Sequence, residues 1–166
     1  MKSFKPVRET PYRSPMIVSE KIQDILQGKV VCELGCAEGD NMMFMSRYAK
    51  RVFGIEFDLA KSHVAQERGF NVITGNYFEI EIPDADVYYF WPTSADDSPR
   101  LIDKILRSKP NFVGHIIVGG DTYMQREKEV INRLAKRGEL REISYNEGTK
   151  NRQSGTFLVL IIEVGH

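Results

Sequence analysis

The residues whose types and spacing could do chemistry lie within one stretch of the chain, Val30 to Asp58. Glu33 stands just before a glycine turn, Glu38 and Asp40 lie inside or just after that turn, and Glu56 follows about 20 residues later. Two carboxylates in a turn repel a pyrophosphate and favour a ligand with a positive centre. A carboxylate at the position of Glu56, closing a second strand, is placed to accept both hydroxyls of a ribose. A dinucleotide site would instead need G-x-G-x-x-G, so that bare backbone could approach the phosphates. This turn holds only Gly35 and Gly39.

The elements that must position these acids follow from hydrophobic pattern. Val30, Val31, Cys32 and Leu34 read as a buried strand that stops at Gly35. Met42, Met43, Phe44, Met45, Tyr48 and Ala49 have helical spacing, and Val52 to Ile55 is a second buried strand ending in Glu56. Strand, glycine turn, helix and strand with a terminal acid form the first half of a nucleotide-binding βαβ unit.

On these residues the chain resembles a known family. Glu33-Leu34-Gly35-Cys36-Ala37-Glu38-Gly39 is similar to the E/D-x-G-x-x-x-G signature of class I S-adenosylmethionine (SAM)-dependent methyltransferases, and Gly54-Ile55-Glu56-Phe57-Asp58 resembles their second motif. SAM is an adenosine without phosphates that carries a sulfonium and an amino group, which suits an acidic turn. The resemblance implies SAM as cofactor and S-adenosylhomocysteine as product. It places Glu33, Gly35, Cys36, Ala37, Glu38, Gly39, Glu56 and Phe57 around the cofactor. It further implies that Asn76 bonds the adenine amino group and that Tyr77 stacks on the ring; the family more often has Asp where this chain has Asn76.

Met1 to Pro15 is polar, basic and punctuated by Pro6, Pro11 and Pro15; it reads either as a solvated arm or as a lid over the ligand site. Residues 1–16 are taken as this arm and 17–166 as one core domain. Helices are expected over Ile17 to Leu26, Leu59 to Arg68 (with Asp58 as N-cap), Asp97 to Ser108 and Tyr123 to Lys136. Strands are expected over Phe70 to Thr74, Asp86 to Trp91, Asn111 to Val118, Leu140 to Asn146 and Thr156 to Glu163. The last two are joined without a helix, so they should pair antiparallel. The expected fold is a single α/β domain, a three-layer sandwich with a seven-stranded, mostly parallel sheet, an antiparallel C-terminal strand pair and helices on both faces.

Ligands of open α/β sheets bind at the carboxyl ends of strands. Phe90 and Trp91 end the fourth strand, where an aromatic wall beside a sulfonium gains cation–π attraction and excludes water; Phe90 is assigned to the cofactor and Trp91 to the catalytic side. Methyl transfer needs alignment, a dry pocket and, for some acceptors, proton removal. Tyr12, Trp91 and Asp121 are the candidate catalytic residues. Thr10-Pro11-Tyr12-Arg13-Ser14-Pro15 and Asp84 to Phe90 resemble small archaeal and mitochondrial protein-lysine methyltransferases, although Trp91-Pro92 departs from their continuation. The implied acceptor is a protein lysine amine, with a small molecule as the other option. The N-P-P-Y type motif of amide and nucleobase amino methylation is absent. His63, His115 and His166 have no partner at telling spacing and receive no role.

Composition bounds the classes. At 166 residues and formal net charge +0, with a pI near 6.8, the chain carries no global field for nucleic acid or membrane. Cys32 and Cys36 are poorly placed to bridge and too few for zinc. No apolar run reaches membrane-spanning length, so a soluble, cytoplasmic protein is expected. The rival readings are a non-catalytic SAM-binding subunit of a larger complex and a nicotinamide-dependent oxidoreductase.

Overall fold

The computed structural model describes residues 18–91, 97–121, 140–149 and 152–165, and for 120–121, 140–149 and 152–160 the backbone alone. It divides into two compact units, Met1–Ala85 and Asp86–His166.

In the first unit the strands β1 (Val30–Leu34), β2 (Arg51–Glu56) and β3 (Asn71–Thr74) lie in the order β3-β2-β1, all parallel. Val31 to Leu34 are buried without alternation, as expected of a parallel strand covered on both faces. Glu33 is the one charged residue of that run, and it too is buried. The register aligns Leu34 with Ile55, and Glu56 with Thr74, so the loops after all three strands leave the same edge.

The helices here are α1 (Gln23–Leu26), α2 (Asp40–Met45) and α3 (Leu59–Glu67). Residues 18–21 are also helical, but a break at Ile22 separates them from α1, so the expected continuous helix is split; its first residue, Ile17, lies outside the described residues. Helix α2 ends at Met45, short of the expected Ala49, because the chain turns at Ser46 and Ala49 bridges back to Gln27. Helix α3 is capped as expected: Asp58 Oδ1 accepts from the Lys61 N–H at 3.0 Å. Gly69 then takes a positive φ of 92° and ends it. The core beneath the first loop is Cys36, Met42, Ala65 and Val72, with Val52 and Phe70 packed on it.

In the second unit β4 (Val87–Phe90) and β5 (Gly114–Asp121) are parallel, β7 (Arg152–Val164) runs antiparallel to β5, and β6 (Leu140–Thr149) runs antiparallel to β7, in the order β4-β5-β7-β6. Helix α4 (Asp97–Ser108) has the expected bounds and buries Leu101, Ile102 and Ile105. The fold class is therefore α/β, with mostly parallel strands and the antiparallel C-terminal pair that the sequence implied.

Two expectations need correction. Strand β5 does not stop at Val118: it runs through Gly119 and Gly120 to Asp121, because β7 continues the ladder to Asp121–Phe157. The expected loop between Glu147 and Ser154 is mostly strand, since pairing continues to Thr149–Arg152 with an irregularity after Glu147. The expected helix over Tyr123 to Lys136 and the arm over 1–16 lie outside the described residues.

Candidate functional site

Glu56 is the node of the site. It closes β2, and its carboxylate reaches both neighbouring turns: Oε2 accepts from the Ala37 N–H at 2.7 Å, and Oε1 accepts from the Asp58 N–H at 2.8 Å. Its backbone carbonyl accepts from Gly75 N–H at 2.9 Å. One residue thus fastens the loops that follow β1, β2 and β3. Each carboxylate oxygen keeps a further lone pair for an outside donor.

The first loop is shaped by backbone geometry. Gly35 and Gly39 take φ of 79° and 89°, and Ala37 takes φ of 48°. A left-handed alanine costs about 1 kcal/mol. The conformation aims the Ala37 N–H at Glu56. The N–H groups of Gly35 and Cys36 both donate to Ile55 carbonyl, at 2.8 and 3.2 Å, which pins the turn to β2. Cys36 anchors it from below: a Cβ on Gly54 would stand 2.8 Å from Cys36 Cβ and 3.0 Å from Met42 Sδ, so only glycine fits there. The Cys36 thiol is held far above its ordinary range by burial, and secondarily by the Glu33 and Glu56 carboxylates. It therefore stays protonated, a packing group and not a nucleophile.

Glu33 is 2 % exposed. Its Oε1 accepts from Asn41 Nδ2 at 2.7 Å, while Oε2 is buried with no hydrogen-bond partner among the described residues. Burial pushes its carboxyl up to about 8; Asp40 and Glu56 raise it further, and the Asn41 bond opposes them. The other acids of the turn differ from the sequence reading. Asp40 does not present a bare charge, since Arg68 Nη1 pairs with its Oδ1 at 2.8 Å. The same Nη1 donates to the Glu38 carbonyl, and the guanidinium lies over the Phe70 ring, 5.5 Å from its centroid. Repulsion of phosphates by Asp40 is accordingly weaker than the turn's sequence suggests, and the poverty in glycine carries more of the argument against a dinucleotide.

The loop after β3 is a tight turn. Asn76 Oδ1 accepts from the Phe78 N–H at 2.9 Å, and the Asn76 carbonyl accepts from Glu79 and Ile80. The Tyr77 ring borders the first loop: a Cβ on Gly35 would be 3.7 Å from its Cε1. Phe57, directly after Glu56, is 71 % exposed. An aromatic held in water beside a buried carboxylate offers an unoccupied stacking face.

The first unit therefore brings together Glu33, Gly35, Cys36, Ala37, Gly39, Glu56 and Tyr77, with Phe57 and Asn76 on the adjoining turns and Glu38 present through its carbonyl. In the second unit Phe90 is buried in β4. Trp91 is partly exposed, and its indole lies against Gly119 so closely that any side chain there would overlap it. Asp121 belongs to β5, and Tyr12 lies outside the described residues. The sequence reading missed Arg68, Asn41 and the packing role of Gly54. Arg68 is 28 residues from Asp40 and sits at a helix end, so no local spacing signalled it.

No family model and no curated protein sequence matches the chain. Solved structures do. A Thermoplasma acidophilum protein, 1320, aligns at 16 % identity and TM-score 0.69, covering 89 % of this chain and 82 % of its own. Magnesium protoporphyrin IX methyltransferase from Synechocystis, with bound S-adenosylhomocysteine, aligns at 11 % and 0.67, covering 92 % and 83 %. An rRNA methylase from Streptococcus thermophilus aligns at 14 % and 0.63, covering 90 % and 95 %. At these identities the likeness is one of architecture. The chain has the fold of class I, Rossmann-like methyltransferases.

Proposed function

We propose that the chain is a SAM-dependent methyltransferase. The observation that carries this reading is the Glu56 node, a carboxylate that fastens three strand-end loops and keeps lone pairs for a ribose diol. The donor set fits SAM. Glu56 would take the ribose hydroxyls, Phe57 and Tyr77 the adenine faces, and Asn76 the adenine amino group. The turn from Gly35 to Gly39, with Glu33 beneath it, would take the methionine portion. The orphaned Glu33 Oε2 asks for a donor or a cation, and the amino group of SAM supplies both. Bound SAM supplies a methyl group on a sulfonium, already a good leaving group. The chain's own residues bind and orient that group and keep water from it, so a methyltransferase site needs no strong nucleophile or metal. Among the described residues no cluster of metal-ligating side chains occurs.

Similar structures act on acceptors as unlike as magnesium protoporphyrin IX and rRNA, so the acceptor is read from side chains and not from the fold. The favoured acceptor is a protein lysine amine, with Trp91, Tyr12 and Asp121 as the acceptor-side residues; this assignment rests on the sequence alone. Among the described residues no helix is long and apolar enough to cross a membrane.

A thermal-shift series on the intact protein with SAM, S-adenosylhomocysteine, NAD and ATP tests the proposal. The first two should raise the melting temperature in proportion to saturation, and the other two should not. Stabilisation by NAD alone would favour the oxidoreductase reading and overturn this one.

A further inference from the structure

We infer that the amino-terminal ends of β1 and β2 form a docking surface for a single-stranded nucleic acid, on which Lys29, Arg47, Lys50 and Arg51 take phosphates and Tyr48 takes a base. The inference goes beyond the proposed function and is independent of the methyl acceptor.

Charge is unevenly placed along this chain. Lys and Arg total 23 and Asp and Glu total 23, so the formal net charge is +0. Two segments nevertheless carry cations and no acid: Ile25 to Cys32 holds Lys29, and Asn41 to Ile55 holds Arg47, Lys50 and Arg51. The fold brings these segments together. The Lys29 carbonyl accepts from the N–H groups of Lys50 and Arg51 at 2.9 and 3.3 Å, and the Tyr48 carbonyl accepts from the Gly28 N–H at 3.4 Å. Val30 pairs with Arg51 at the start of the β1–β2 ladder. All four cations are exposed.

The two arginines are seated on rings. The Arg47 guanidinium lies over Phe44, 4.8 Å from its centroid, and that of Arg51 lies over Phe53 at 5.4 Å. Both rings are buried, so each is a fixed platform that orders a guanidinium before a ligand arrives. Tyr48 stands between Arg47 and Lys50 in the chain and is only half-buried. Cations that follow a strand's backbone, with an aromatic ring among them, suit single strands: the phosphates meet the charges and an unstacked base meets the ring. A bilayer would require apolar side chains to enter it. The large hydrophobics exposed among the described residues, Phe57, Leu59, Ile73 and Val113, all lie outside both segments. Glu56 and the glycine turn stand at the opposite ends of the strands, about 16 Å away along the five residues of β1. A nucleic acid docked here leaves the proposed cofactor site open.

Fluorescence anisotropy of the intact protein with labelled oligouridylate and oligothymidylate of about 12 nucleotides tests this. Four phosphate contacts on a single strand give a slope of log affinity against log salt of about −3, so binding should weaken about fifty-fold between about 50 and 200 mM KCl. Lys29→Gln/Lys50→Gln removes two exposed cations and should reduce the slope to about −1.5. Tyr48→Leu should weaken binding about tenfold at unchanged slope. The lysine pair gives its readout even where Tyr48→Leu does not fold. Absence of binding to both oligonucleotides at the lower salt overturns the inference, as does a slope that the lysine pair leaves unchanged. Polyglutamate bound as tightly as the oligonucleotides also overturns it and makes the surface one for acidic proteins.

Discussion

Removing the Arg68 guanidinium should loosen the first loop, and the structure says by how much. The Arg68 and Asp40 side chains are 10 % and 20 % exposed. Taking one partner from a fully buried ion pair costs about 3–5 kcal/mol, because the other charge is left uncompensated. Asp40 keeps some access to water, so the cost falls below that range, to about 2–3 kcal/mol. Loss of the stacking over Phe70 adds about 0.5–1 kcal/mol. Arg68→Ala should therefore cost about 3 kcal/mol, or about 10 °C in melting temperature for a chain of this size. Arg68→Lys should recover only part of this, since one ammonium cannot reproduce the planar guanidinium that meets Asp40, the Glu38 carbonyl and Phe70 together. Urea unfolding of Arg68→Ala, Asp40→Asn and the double variant would measure the coupling, which should exceed about 1 kcal/mol. Ligand affinity should fall with the single variants, because Glu38 to Asp40 form the loop's second half. A loss under about 0.5 kcal/mol, or additive single effects, would refute the clamp.

Three further outcomes follow from the same site. The Glu33 carboxyl rises from 4.5 to about 8 on folding, so the native state binds the extra proton between those values and stability declines as pH rises through that window. Glu33→Gln removes the decline and should stabilise the protein by about 3 kcal/mol at pH 7, read from urea unfolding at pH 5 and pH 8; equal slopes in both proteins would contradict it. Gly54→Ala places a methyl against Cys36 and Met42 and should cost about 1–3 kcal/mol while displacing the turn, seen as a lower urea midpoint together with weaker SAM binding. Phe57→Ala should leave stability within about 0.5 kcal/mol of the parent, since the ring is exposed, yet weaken SAM by about 1–3 kcal/mol if adenine stacks there; unchanged affinity would remove Phe57 from the site.

Much of the fold was legible in the sequence because local signals agreed. The apolar run of β1, the N-cap Asp58 and the amphipathic spacing of α4 each fixed an element within a residue or two. The expected end of β5 failed for a non-local reason: two glycines read as a loop, but pairing with β7 carried them in a strand. The glycine turn and Glu56 were also legible, since a motif depends on spacing along the chain. The Arg68–Asp40 pair and the Gly54–Cys36 contact were not, because they arise when segments distant in sequence pack face to face. Glu33 was visible as a motif acid, whereas its protonation depends on how deeply the fold buries it and on which acids surround it.

Whether Glu56 anchors a SAM site is tested by calorimetric titration with SAM, S-adenosylhomocysteine and NAD, on the parent protein and on Glu56→Ala. The first two should bind one-to-one and the third little, and Glu56→Ala should lose binding while still unfolding cooperatively. Unchanged SAM binding by Glu56→Ala, or no SAM binding by the folded parent, would contradict it.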